Sequence, residues 1–238
     1  MARYHPSVSD QRTPQLRDET VLHYLETIFY ISHEGEAVRP SRIAEWMAVS
    51  APTVSTTLGR LARDGWIDVA TDRSVSLTER GEASASKIVR VHRLLERWLT
   101  DVLGLDWASA DEEAQRLAPG IGPDVADRLE EHLGYPDTCP HGNVIPGRQP
   151  PYGELVSLAE LQPGRSAAIR RISEVAEHDA PDLLRHLNDL GMVPGTTVHV
   201  EEGGAGLGAV PVKVGGRRTA LGPSVAGSIW VETTDRAD

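Results

Sequence analysis

The sequence predicts a mainly α N-terminal region, a helical middle and a small all-β C-terminal domain. Three observations predict it. Within residues 38–78, two short amphipathic helical patterns meet at a tight turn and lead into two β-like runs. Within residues 78–133, the apolar residues keep a helical period. Beyond a Pro- and Gly-rich stretch at residues 134–153, short β-like runs alternate with glycine turns.

Residues 1–17 are polar, have no period and are expected to be disordered. Residues 18–31 read as a helix with Leu22, Leu25, Ile28 and Phe29 on one face. Residues 40–47 put Ile43, Ala44 and Met47 on one side of a second helix, and Ala48-Val49-Ser50 makes a turn. The third helix has Pro52 in its first turn, where a missing N–H costs nothing. Val54, Leu58 and Leu61 are its apolar positions, and Gly65 ends it. Residues 66–70 and 74–77 form a hairpin around Thr71-Asp72-Arg73. Helix, turn, helix and hairpin make a winged helix-turn-helix, expected over residues 18–78.

Thr78 opens a long helix to residue 103, striped by Ile88, Val91, Leu94, Leu95, Trp98, Leu99 and Val102. Helices at 107–117 and 123–133 follow. Residues 79–136 thus offer enough apolar surface for a dimer interface. Residues 137–153 are expected to be a partly ordered linker. Residues 154–238 carry strands at 167–172, 197–200, 210–214, 219–221 and 228–231, with a helix at 182–190. That spacing suits a barrel of about five short strands.

The outer face of the third helix carries Ser50, Pro52, Thr53, Ser55, Thr56, Arg60 and Arg63. Short hydroxyls and guanidinium forks suit a helix lying in a major groove. Arg42 on the preceding helix and Arg73 at the hairpin tip are expected to reach flanking phosphates. A merely solvated face would have the same composition, but the turn and the wing favour double-stranded DNA. The net charge of −11 argues against a general polyanion binder. Residues 39–73, however, hold five arginines against Glu45, Asp64, Asp68 and Asp72. One cysteine excludes an internal disulfide framework and fits a reducing cytoplasm. No apolar run approaches the roughly 20 residues of a membrane span, and the N-terminus lacks the apolar core of a signal peptide.

The strings VSAPTVSTTLGRLARDGW, DRSVSLTERG, VHRLLERWLTDVLGLD and CPHGNVIPG resemble the diphtheria toxin repressor family of metal-dependent bacterial regulators. HLNDLGMVPGTTV and ALGPSVAGSIWV resemble the SH3-like domain that many members carry. The resemblance implies a homodimeric repressor of metal-uptake or metal-homeostasis genes. Bound divalent metal would hold two recognition helices at adjacent major grooves, roughly 34 Å apart.

For the ancillary metal site, the resemblance implies His92, Glu96, Asp111, Asp179 and Asp182 as ligands. His92 and Glu96 at i, i+4 point the same way. One imidazole and four carboxylates suit Fe²⁺ or Mn²⁺ first, with Co²⁺, Ni²⁺ or Zn²⁺ binding in vitro. The primary site departs from the family pattern. His23, Glu26 and Gln115 are further candidates there, but Ala118 and Pro119 replace a Glu-His pair and offer no donor. A second reading therefore keeps the DNA binding and gives the signal to haem, redox state or a small molecule, or makes binding constitutive. Cys139-Pro140-His141 is read as part of a turn-rich connector without chemistry of its own. His132, His178 and His186 are read as solvated or structural, and Trp46, Trp66 and Trp98 as packing residues. With no nucleophile–base pairing and no Gly-rich phosphate loop, an enzyme is not expected.

Overall fold

The computed structural model describes residues 19–180, 182–202 and 208–233. The expectation for residues 1–17 lies outside the described residues. The first helix, α1, spans Glu19–His33 and buries Tyr24, Leu25, Ile28 and Ile31. α2 (Pro40–Trp46) and α3 (Ala51–Arg63) follow, joined by a turn in which Ala48 takes a left-handed φ of 52°. Ser50 caps α3 by accepting from the Thr53 amide at 3.3 Å, a contact worth about 1 kcal/mol. Val54, Leu58 and Leu61 face inward as their four-then-three spacing requires. The wing is the antiparallel pair β1 (Ile67–Val69) and β2 (Val75–Leu77). Arg80 lies over the Trp66 ring at 3.6 Å and pins the base of the wing.

α4 (Glu79–Asp101) starts at Thr78, whose hydroxyl oxygen accepts from the Gly81 amide at 3.1 Å. A Cβ on Gly81 would sit 2.0 Å from the Trp66 carbonyl oxygen, so only glycine lets α4 start this close to the wing. α5 (Trp107–Leu117) and α6 (Pro123–His132) pack on α4. The C-terminal sheet has six antiparallel strands in the order β3-β8-β4-β5-β6-β7. These are β3 (Val156–Ser157), β4 (Ser166–Ile172), β5 (Thr197–Val200), β6 (Val210–Val214), β7 (Arg217–Leu221) and β8 (Ile229–Thr233). α7 (Glu174–Asp179), α8 (Leu183–Leu190) and α9 (Pro223–Gly227) fill its connections. β3, α7 and α9 are absent from the sequence reading.

Within the stretch read as a linker, residues 139–145 are packed, whereas residues 146–153 are partly or largely exposed. Cys139, His141, Asn143 and Ile145 are all buried. The Asn143 side chain donates to the Ile172 carbonyl at 3.1 Å, and the His141 carbonyl accepts from the Ile172 amide at 2.9 Å. Gly142 has φ 89°, and a Cβ there would fall 1.9 Å from the Arg170 carbonyl oxygen. Composition marks the turns of such a segment but not its partners, which lie some 30 residues away on β4. The barrel is joined to the helices by its core as well, because Trp107 and Ala108 of α5 belong to the same hydrophobic cluster as Ile169, Leu187 and Val212.

Candidate metal centre and DNA-reading face

Four segments converge between the helical region and the barrel. α4 supplies His92 and Glu96, which stand one turn apart with His92 Nε2 3.6 Å from Glu96 Oε1. α5 brings Asp111, its Oδ1 3.3 Å from His92 Nε2. The buried segment after α6 brings His141, its Nδ1 2.9 Å from Glu96 Oε1, and Cys139, its sulfur 3.9 Å from the same nitrogen. α7 brings Glu177, whose Oε2 lies 4.0 Å from His141 Nδ1. Two donor triads result, His92–Glu96–Asp111 and Glu96–Cys139–His141, each with its ligand atoms within 4.8 Å of one another. Glu96 belongs to both.

The scaffold of this cluster is ionic. Arg93, next to His92, clamps Glu174 of α7 with two bonds of 2.8 Å and one of 3.1 Å, and also donates to the Val144 carbonyl. One guanidinium thus ties α4, the 139–145 segment and α7 together. The edge of Trp107 meets the His141 ring at 5.2 Å, closing the barrel side.

The electrostatics are those of a cluster awaiting a cation. Burial opposes protonation of His92, but the carboxylates of Glu96 and Asp111 outweigh it and hold its pKa well above the ordinary value. Burial likewise opposes protonation of His141, and Glu177 and Glu96 outweigh it there. Burial alone would raise Glu96, yet His141 and His92 hold it far below the usual carboxylate range. Burial pushes Glu177 well up, and it pushes the Cys139 thiol to about 11. Glu177 Oε1, His92 Nδ1 and His141 Nε2 are buried without a hydrogen-bond partner. A buried carboxylate oxygen left without a partner costs on the order of 1–3 kcal/mol. A divalent ion coordinated here would satisfy Glu177 and neutralise the crowded carboxylates, so these residues fit a metal. The thiol–imidazole–carboxylate triad suits borderline ions such as Fe²⁺ or Zn²⁺, and the imidazole–dicarboxylate triad suits Mn²⁺ or Fe²⁺.

Three of the five ancillary candidates, His92, Glu96 and Asp111, come together. Asp179 and Asp182 do not. Asp179 turns outward to Arg42, with bonds of 3.0 and 2.7 Å. Asp182, with a side chain 95% exposed, pairs with Arg185 at 3.3 Å. The reason is α7. Ser173 caps this short helix by accepting from the Ala176 amide, and its turn aims Glu177 inward and Asp179 outward. His141, read as part of a chemically silent connector, sits at the middle of the cluster, with Cys139 beside it.

His23, Glu26 and Gln115 line the same cavity, of about 340 Å³, as His92, Glu96 and Glu177. His23 and Gln115 are exposed, and Glu26 is buried and accepts from the Tyr30 hydroxyl at 3.2 Å. None of the three belongs to either triad. The same three residues also line a larger, mainly apolar cavity of about 740 Å³, together with Ala118, Pro119, Leu22, Ile88, Val91 and Ile121.

On the reading face, Ser50, Pro52, Thr53, Ser55, Thr56, Arg60 and Arg63 are exposed along α3, and Arg73 is exposed at the wing tip with φ 67°. The Thr56 hydroxyl donates to the Pro52 carbonyl at 2.9 Å. Arg42 departs from expectation. Its side chain is only 15% exposed and is held by Asp179 and Glu36, so it does not stand free to meet a phosphate. That pairing comes from the barrel and from outside α2, where the pattern of the helix cannot register it.

Comparison with known proteins matches the whole architecture. The description "Iron dependent repressor, N-terminal DNA binding domain" fits residues 19–75. "Iron dependent repressor, metal binding and dimerisation domain" fits residues 78–147, a span that includes Cys139 and His141. The FeoA domain fits residues 156–233. The chain belongs to the iron-dependent repressor family. It is 40% identical over 229 residues to the iron-dependent repressor IdeR of Mycobacterium tuberculosis (strain ATCC 25618 / H37Rv), covering 92% of this chain and 98% of the relative. It is 34% identical over 228 residues to the diphtheria toxin repressor of Corynebacterium efficiens, covering 91% and 96%. Among solved structures, a manganese-dependent transcriptional repressor in complex with manganese superposes with a TM-score of 0.79 at 29% identity, covering 90% of this chain and 99% of that one. ScaR with bound Zn²⁺ gives 0.74 at 26% identity, covering 89% and 98%.

Proposed function

We propose that this chain is a dimeric DNA-binding repressor whose hold on its operator depends on a divalent transition metal bound at the Glu96-centred cluster. Family membership supports the metal response and the repression. The observation that carries the choice of site is the pair of donor triads sharing Glu96, with the unpartnered Glu177 oxygen aimed into them. His92, Glu96, Asp111, Cys139, His141 and Glu177 are the ligands in this reading, and Fe²⁺ or Mn²⁺ is the ion. Double-stranded DNA is the partner of Ser50, Pro52, Thr53, Ser55, Thr56, Arg60, Arg63 and Arg73. A second copy of the chain covers the apolar side chains left open at Val102, Leu103, Leu117 and Val125, which are 42–51% exposed. No described helix is long and apolar enough to cross a membrane, and the cytoplasm is the compartment in this reading.

The 740 Å³ apolar cavity beside Ala118 and Pro119 favours one alternative, a small organic signal in place of metal. Fluorescence anisotropy with promoter DNA separates the two. Binding is expected in Mn²⁺ or Fe²⁺ and not in chelator, and equal binding in both would overturn the metal reading. Arg60→Ala should weaken operator binding by about ten-fold, the worth of a lost base or phosphate contact, with the dimer intact by light scattering.

A further inference from the structure

Three successive residues of α7 meet three different partners. Glu177 faces the cluster, 4.0 Å from His141 Nδ1. His178 stacks flat on Trp46 at the end of α2, with ring centroids 3.8 Å apart and planes 1° from parallel. Asp179 takes both terminal nitrogens of Arg42, also on α2. Arg42 itself lies 5.4 Å from the Trp46 ring and is braced from the far side by Glu36 at 3.1 Å. Three other described ion pairs between barrel and helical region, Arg171–Glu34, Arg93–Glu174 and Arg185–Glu112, do not touch α2.

We propose that α7 is the mechanical link between the metal centre and the DNA-reading head, with His178 and Asp179 as positioning residues that pass the constraint on Glu177 to α2. The inference rests on the metal reading given above. A helix of six residues has too few backbone hydrogen bonds to hold its own register and is placed by its side-chain contacts. Glu177 is held on the cluster side only by its Oε2, 4.0 Å from His141 Nδ1, while its Oε1 is buried without a hydrogen-bond partner. With a cation it becomes a ligand, and α7 is fixed at the residue next to the stack and two residues from the ion pair. α2 is then fixed as well. Through the short turn at Ala48, so is α3, whose outer face reads DNA. Metal and operator thus favour the same arrangement of α7 against α2, which makes their binding cooperative and reciprocal.

Asp179→Asn and His178→Ala in the full chain test this, with Asp179→Glu as the conservative restoration. Two quantities are read: Mn²⁺ affinity without DNA by calorimetry, and the ratio of operator affinities in saturating Mn²⁺ and in chelator. Asp179→Asn is expected to keep Mn²⁺ affinity within about two-fold while the ratio falls at least about five-fold. His178→Ala should lower the ratio less, and Asp179→Glu should restore part of it. An unchanged ratio in both Asp179→Asn and His178→Ala would overturn the link. So would Asp179→Asn binding operator in chelator as tightly as the wild type does in Mn²⁺, because the contact would then be an inhibitory clamp. A wild type with no Mn²⁺ response at all would instead remove the metal reading on which the inference stands.

Discussion

Two adjoining cavities of this molecule share three lining residues and differ in chemistry. The Glu96 cluster is buried and crowded with donors drawn from four segments. The larger cavity is lined mainly by apolar side chains, Ala118, Pro119, Ile88 and Val91 among them, and shares His23, Glu26 and Gln115 with the smaller one. Both lie against α4 and α5, so in the proposed reading donor identity and desolvation, rather than the fold, distinguish the metal site. In the first, each carboxylate lies within a few ångströms of an imidazole or of another carboxylate, and burial makes the arrangement costly until a cation enters. In the second, Ala118 and Pro119 offer no donor side chain, and His23 and Gln115 are exposed.

Four measurements break or sharpen that contrast. The largest effect is expected from Glu96→Gln, which removes the ligand shared by both triads. Its operator affinity in Mn²⁺ should fall on the order of 100-fold, to the chelator level. A variant that still responded to metal would move the sensor to the other pocket. Cys139→Ser should come next. Loss of the soft donor is expected to weaken Zn²⁺ relative to Mn²⁺ by about ten-fold in competition titrations. An unaltered preference would mean that the thiol lies outside the coordination shell.

Proton release is the third test. His92 and His141 hold their protons to higher pH than a free histidine, whose pKa is 6.5, because Glu96, Asp111 and Glu177 outweigh the effect of burial. A metal ion takes the imidazole lone pair, so those protons must leave as it binds. Affinity should rise with pH and level off only above the raised values. Calorimetry in buffers of different ionisation enthalpy should find about one proton or more released per ion, and no release would exclude the imidazoles as ligands. Stability of the metal-free chain has the opposite sign. A raised folded-state pKa contributes stability that is fully present below pH 6.5 and is lost as pH rises through the raised value. The smallest effect is expected from Gln115→Ala, less than about two-fold on the metal-induced gain in operator affinity, within the scatter of surface substitutions. A large loss there would restore the open pocket as the sensor.

Much of the fold was legible because its signals are local. Asp106 before Trp107, Thr78 before Glu79 and Ser50 before Ala51 each mark a helix start, and each caps that helix in the structure. The bounds read for α5, β5 and β6 coincide with those observed. α7 and α9, of six and five residues, are too short for a period to show, and so is the two-residue β3. In the site, His92 and Glu96 were legible because one helical turn separates them, and Asp111 because it resembles a family ligand position. Glu177 was not, because its orientation depends on where α7 begins.

The sequence by itself determined the winged helix-turn-helix, the long helices, the all-β C-terminal domain and the α4 half of the proposed metal cluster. Periodicity, caps and turn residues act over a few positions, and they are written where they act. Only the tertiary structure decided that His141 meets Glu96, that Glu177 rather than Asp179 or Asp182 faces the cluster, and that Arg42 is held by the barrel instead of standing free. Those contacts join residues 36 to 137 positions apart. Their energy comes from burial and charge pairing once the domains are docked, and no local pattern carries that information.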